Sequence, residues 1–185
     1  AVGIDSSTAL INTEDGFRLP SLPINAYFDH VITYVPSLDL YLDSTSQFSP
    51  LGTLPDGDMD KPVVHTATGK IGKTPANDPS RDFSHTQIAL TLQPDGQVSG
   101  HSTAHMQGYV QVSSRGSQFA TLHREQANNV NRMLDRYQES GTGEIKSSHP
   151  LELDSPWEVS SVFQLDTLVN LPGPSAMTLP VGVTP

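Results

Sequence analysis

The sequence predicts an α+β fold that is mainly β, on three observations. Two apolar-rich runs, His30–Val35 and 38–44, flank the pair Pro36-Ser37, and strands separated by so short a turn read as a hairpin. Two longer β-like runs, 83–93 and 98–112, are joined by Pro94-Asp95-Gly96-Gln97, where proline presets the second turn position and glycine tolerates positive φ. Over about 117–139 apolar residues recur at three- and four-residue steps, which predicts one long amphipathic helix packed on an antiparallel sheet.

In chain order, residues 4–11 alternate weakly and read as a strand. Glu14-Asp15-Gly16 turns the chain, and the segment 19–23, with two prolines, crosses in extended form to the hairpin. With Pro36 and Ser37 at the tip, the hairpin register pairs residue 35 with 38, 34 with 39 and His30 with Asp43. Directly opposed Cβ atoms lie about 5 Å apart, so imidazole and carboxylate come within hydrogen-bond reach. Alternation then sorts Val31, Val35, Leu38, Leu40 and Leu42 onto one face, expected to be core, and His30, Tyr34, Tyr41 and Asp43 onto the other.

From residue 50 to 80 prolines and glycines recur. Asp56, Asp58 and Asp60 alternate around Gly57 as in a calcium loop, yet the downstream glutamate of that loop is missing, and a solvated turn is the better reading. Thr74-Pro75-Ala76-Asn77-Asp78-Pro79 is polar and proline-broken, so a linker is expected over 66–80 between one unit at 1–65 and a β-rich unit at 81–185. In the second unit Val98, Ala104, Met106, Val110 and Val112 share a strand face. Ser117 offers a helix N-cap, and Phe119, Leu122, Ala127, Val130, Met133, Leu134 and Tyr137 form the stripe that ends at Gly141. A strand follows at Trp157–Leu165, apolar at odd positions. The tail from 171 onward carries four prolines and two glycines and reads as extended.

Chemistry concentrates at the first hairpin. A carboxylate bonded to one ring nitrogen fixes a histidine's tautomer and leaves the other nitrogen to accept a proton from a nucleophile, so His30 and Asp43 make two thirds of a triad. The competing view is a structural pair on a sheet. Gly100-His101-Ser102-Thr103-Ala104 mimics a serine-hydrolase elbow but sits inside a strand pattern with Ala104 at the last glycine position. His101 and His105, about 13 Å apart along a strand, cannot share an ion by themselves. His65, His85, His123 and His149 lack ligand spacing and are read as surface residues, and neither a metal nor another cofactor is expected.

The segments Ala1-Val2-Gly3-Ile4, Phe28-Asp29-His30-Val31 and Leu42-Asp43-Ser44-Thr45, with the flanking run 48–54, resemble the bacterial transglutaminase-like proteins of the papain-like cysteine protease superfamily that carry an extra N-terminal domain. The resemblance covers most of the chain. It implies that the chain follows the cysteine-bearing helix of such a core, that His30 and Asp43 are the second and third members of a Cys-His-Asp triad, and that peptide or protein amides are the substrates. It also implies export to the periplasm or cell envelope. Two departures stand out: Asp29 replaces the asparagine often found before the histidine, and the chain contains no cysteine. The chain is therefore expected to be a fragment, inactive alone, whose partner is the missing N-terminal part of its parent. A non-catalytic envelope scaffold is the alternative.

Composition bounds the rest. A net charge of −10 with no cluster of Lys or Arg argues against nucleic acid, whose binding rests on cationic contacts to phosphate. No run approaches the roughly 20 apolar residues of a membrane span.

Overall fold

The computed structural model describes residues 3–121 and 126–183. The secondary structure is mainly β, in two antiparallel sheets with two helices, and the chain divides into two compact units, Ala1–Asp82 and Phe83–Pro185. Each is described by itself.

The first unit holds β1 (Ser7–Ile11), β2 (His30–Val35), β3 (Leu40–Leu42), β4 (Pro62–His65) and β5 (Ile71–Lys73), in the order β3-β2-β1-β4-β5. Proline at the first turn position and Asp39 in the left-handed region (φ 48°) make a short 3-10 turn at Pro36–Leu38, and Tyr34 Oη donates to Asp39 Oδ1 (2.9 Å) to close it. This turn takes more residues than the expected tip. The register is therefore Thr33↔Leu42, Tyr34↔Tyr41 and Val35↔Leu40, two residues away from the expected one. Because strand faces alternate with period two, the slip leaves the face assignment intact.

Which face is buried differs from expectation. Ala9 and Ile11 of β1 and Val63 of β4 are fully buried, and the pairings Ala9↔Ile32, Ile11↔His30 and Ile11↔Val63 put them on the His30 face of β2. Ile32, Tyr41 and Leu54 complete that core, with Tyr34 and Met59 packed against it. Of the set expected to be core only Val35 is buried, while Val31 and Leu38 are 48% and 65% exposed. The central strand, not the hairpin's own leucines, decides the side.

The span expected as a linker, 66–80, contributes β5, which pairs with β4 at Pro62↔Lys73, Val63↔Gly72 and Val64↔Ile71. Three residues of strand ending in a lysine give little periodicity to read. Lys73 pairs with Asp60 (2.5 Å), and the hydroxyl of buried Thr74 accepts from Lys61 N (2.9 Å), so the unit continues beyond β5.

The second unit is a four-stranded sheet of β6 (Phe83–Leu92), β7 (Val98–Gln107), β8 (Gly141–Ser147) and β9 (Trp157–Leu165), ordered β6-β7-β9-β8, with helices α1 (Val110–Thr121) and α2 (Gln126–Asp135). The expected strand over 98–112 stops at Gln107. Gly108 (φ 66°) breaks the extended chain there, so Val110 and Val112 enter a helix that starts seven residues before Ser117. Leu122, His123 and the side chain of Ala127 lie outside the described residues. Val130 and Leu134 on α2 pack with Val98, Ile145, Trp157, Val159, Phe163 and Leu165 in one core, where each fully buried aliphatic side chain contributes about 1.5–3 kcal/mol. Arg115 of α1 is fully buried with no carboxylate partner among the described residues: its guanidinium donates to the carbonyls of Pro150 (3.1 Å), Glu152 (3.2 Å) and Ser155 (2.8 Å), and Nε to Gln111 Oε1 (3.0 Å). Among the described helices none is long and apolar enough to cross a membrane.

Candidate functional site

The site is built where β2 begins and β3 ends. His30 opens β2, and its backbone is fixed by pairing with Ile11 and by the preceding Asp29 N–H, which donates to the Ile11 carbonyl (3.2 Å). The Asp29 carboxylate accepts from Thr13 N (2.9 Å) and Thr13 Oγ1 (3.0 Å), tying the loop after β1 to the strand. Asp43 follows the last residue of β3. Extending the observed register by one step sets Asp43 opposite Ile32, so His30 is its diagonal neighbour on the same face.

That diagonal is still a contact. His30 Nε2 lies 3.3 Å from Asp43 Oδ1, with the two side chains 25% and 5% exposed. The carboxylate cannot swing freely, because Thr45 N (2.8 Å) and Thr45 Oγ1 (2.7 Å) both donate to Oδ1 in a turn of the kind aspartate makes with its own following residues. With Nε2 on the carboxylate, Nδ1 is the ring nitrogen left to meet a nucleophile.

Two hydroxyls near the pair, Thr45 and Thr33, are placed elsewhere. Thr45 is bonded to Asp43, and Thr33 pairs with Leu42 on the opposite face. Ser102, in the segment that mimics a hydrolase elbow, is 1% exposed within β7 and bonded to Ser161 Oγ and the Val183 carbonyl (both 2.8 Å).

A third carboxylate joins the pair. Asp58 ends a 3-10 turn, Asp56–Asp58, and is 3% exposed. Leu54 before it and Met59 after it pack into the core, and these two apolar anchors draw the intervening turn inward. One carboxylate oxygen, Oδ2, is buried without a hydrogen-bond partner. Burial, then the charge of Asp43, push the Asp58 pKa up to about 6; His30 opposes this, while a hydrogen bond with Asp43 and the charge of Asp29 add to it. The expected solvated turn is thus wrong for Asp58. Leu54 and Met59 bracket the turn in sequence, but only their docking into the core shows that Asp58 is drawn inward.

At the other end of β2 the same face carries a Tyr34, Tyr41 and His65 cluster, with ring centroids 4.7 Å apart for Tyr34–Tyr41 and 4.2 Å for Tyr34–His65. Tyr41 Oη and His65 Nε2 are 3.2 Å apart, although β3 and β4 are separated by two strands, or about 14 Å in a flat sheet. The sheet must curl around this face. His65 is no free surface histidine: its Nδ1 is buried without a partner. Burial also raises the Tyr41 pKa, with smaller contributions from Tyr34 and Asp39. A cavity of about 560 Å³ lined by Tyr34, Pro36, His65 and Lys70 lies at this end, away from His30.

Comparison with family models, with curated proteins and with solved structures finds no match to this chain.

Proposed function

We propose that this chain is the C-terminal part of a transglutaminase-like cysteine acyltransferase or protease, with His30 as base and Asp43 as its orienter, completed by a cysteine outside the chain. The 3.3 Å approach of His30 Nε2 to Asp43 Oδ1 carries this reading, because a carboxylate beside Nε2 is the arrangement that would orient the ring and turn Nδ1 toward a thiol. His30 takes the thiol proton as sulfur bonds to the amide carbon. The C–N bond then breaks, and the departing amine takes that proton. Water or a second amine attacks the thioester and regenerates the thiol. Peptide or protein amides in an envelope compartment are the substrates that the sequence resemblance favours. The absence of cysteine supports a second reading, a non-catalytic scaffold that keeps the pair for structure.

The test is an assay of ammonia release and amine incorporation with a glutamine peptide. The 185-residue chain should show no turnover. The parent with its upstream segment should be active, and should lose at least about a thousandfold in kcat/KM with His30→Ala. An upstream segment lacking cysteine, or activity unchanged by His30→Ala, overturns the proposal.

A further inference from the structure

We propose that His30, Asp43 and Asp58 form a binding site for one divalent first-row metal cation, of which zinc is the best fit. The site is independent of the acyl-transfer reading and needs no residue outside this chain.

One ligand atom from each residue lies within 4.8 Å of the other two. A tetrahedral zinc with bonds of about 2.0–2.1 Å sets its ligands about 3.3 Å apart. The His30 Nε2 to Asp43 Oδ1 separation is already 3.3 Å. The remaining pairs close by at most about 1.5 Å, which side-chain torsion supplies without moving the sheet. Asp43 is held from behind by Thr45, as ligating carboxylates commonly are.

Asp58 is the observation that separates this site from an ordinary acidic surface. Its side chain is 3% exposed, yet Oδ2 has no donor. Its other side-chain contact is a hydrogen bond with a second carboxylate, Asp43, and buried carboxylates left without a cationic partner are normally neutralised or coordinate a metal. Two carboxylates and a neutral imidazole compensate a divalent cation's charge in full. One nitrogen and two oxygens suit zinc and its neighbours better than calcium or magnesium, which favour all-oxygen sets, and no thiolate is present to select softer ions.

A bound cation would take the Nε2 that otherwise meets Asp43, so in a catalytic parent it would withdraw His30 from base duty.

The experiment is calorimetric titration of zinc chloride into the chelator-treated 185-residue chain carrying His105→Ala, which removes the exposed His105–Glu158 pair as an adventitious site. One equivalent should bind with a Kd at or below about 10 μM, at least about tenfold tighter than calcium or magnesium, and should raise the melting temperature. Asp58→Asn should weaken binding at least about tenfold, and His30→Gln does the same should the first variant fail to fold. The ¹⁵N resonance of His30 Nε2 should move on saturation. Absence of stoichiometric binding, binding equal in both variants, or tighter calcium than zinc would overturn the site.

Discussion

His30 Nε2 meets Asp43 Oδ1 at 3.3 Å across a diagonal of the β2–β3 hairpin, not across a directly opposed pair. A diagonal contact spans a longer Cα separation, and the side chains reach because Asp43 sits just past the strand end, where Thr45 turns its carboxylate back. This geometry makes a prediction about the neutral imidazole. In metal-free protein it should be the Nε2–H tautomer, read from ¹⁵N shifts of selectively labelled histidine. Asp43→Ala should turn His30 toward a mixture of tautomers; an unchanged Nδ1–H form in the parent protein would contradict the contact.

Asp58 predicts a pH dependence of stability. Its folded pKa, about 6, stands above the unfolded value of 3.8, so the native state binds more protons between these limits. The contribution is fully present below the unfolded value, declines as pH rises, and is lost above about 6. The shift corresponds to at most about 3 kcal/mol. Urea unfolding in chelator should therefore show Asp58→Asn gaining on the parent protein between pH 4.5 and pH 7.5, by about 1–3 kcal/mol. A constant difference across that range would mean that burial does not hold Asp58 protonated.

The hairpin and the β6–β7 pair were legible from β-like runs flanking short turn sequences, and β9 from a period of two over nine residues. Trp157, Val159, Phe163 and Leu165 are buried as their alternation requires. The side on which the hairpin is buried was not legible, because both faces are apolar. Val31 and Leu38 look as suited to a core as Ile32 and Tyr41, and partners distant in sequence, Ala9, Ile11 and Val63, settle the matter. The pairing of His30 with Asp43 survived a wrong register because the error was two residues, which preserves the face. Asp58 was missed since its burial depends on Leu54 and Met59 docking into a core that the segment itself does not reveal. β4 and β5 are four and three residues long, too short to show a period among prolines and lysines.

Arg115 should be the most sensitive polar position of the second unit. It is buried against three loop carbonyls and Gln111, with its guanidinium 4.8 Å from the Trp157 ring centroid. Lysine cannot reproduce the planar fork, and burial already disfavours charge here, lowering the Arg115 pKa. Arg115→Lys should cost about 2–4 kcal/mol in denaturant unfolding, because the orphaned carbonyls lose donors while a charge stays buried. A loss below about 0.5 kcal/mol would show that the loop at 149–155 does not depend on it.

Gly72 should be the most restrictive position of the curled first sheet. A Cβ there would collide with His65 Nε2 and come within 2.7 Å of Tyr41 Oη, the two groups that approach each other at 3.2 Å across the face. Nothing in the backbone at Gly72 demands glycine, since its φ is not positive; the requirement is space. A methyl group must therefore push the imidazole or the phenol aside and open their contact, in a region where Tyr34 already packs at a tilt against both rings. Overpacking of this kind costs about 1–3 kcal/mol. Gly72→Ala should lower the melting temperature accordingly, and a second substitution, His65→Ala, should recover part of the loss by emptying the space the methyl needs. Without the collision, the two substitutions would simply add. A double-mutant cycle with no coupling between residues 65 and 72 would refute the collision of the added methyl with the His65 ring.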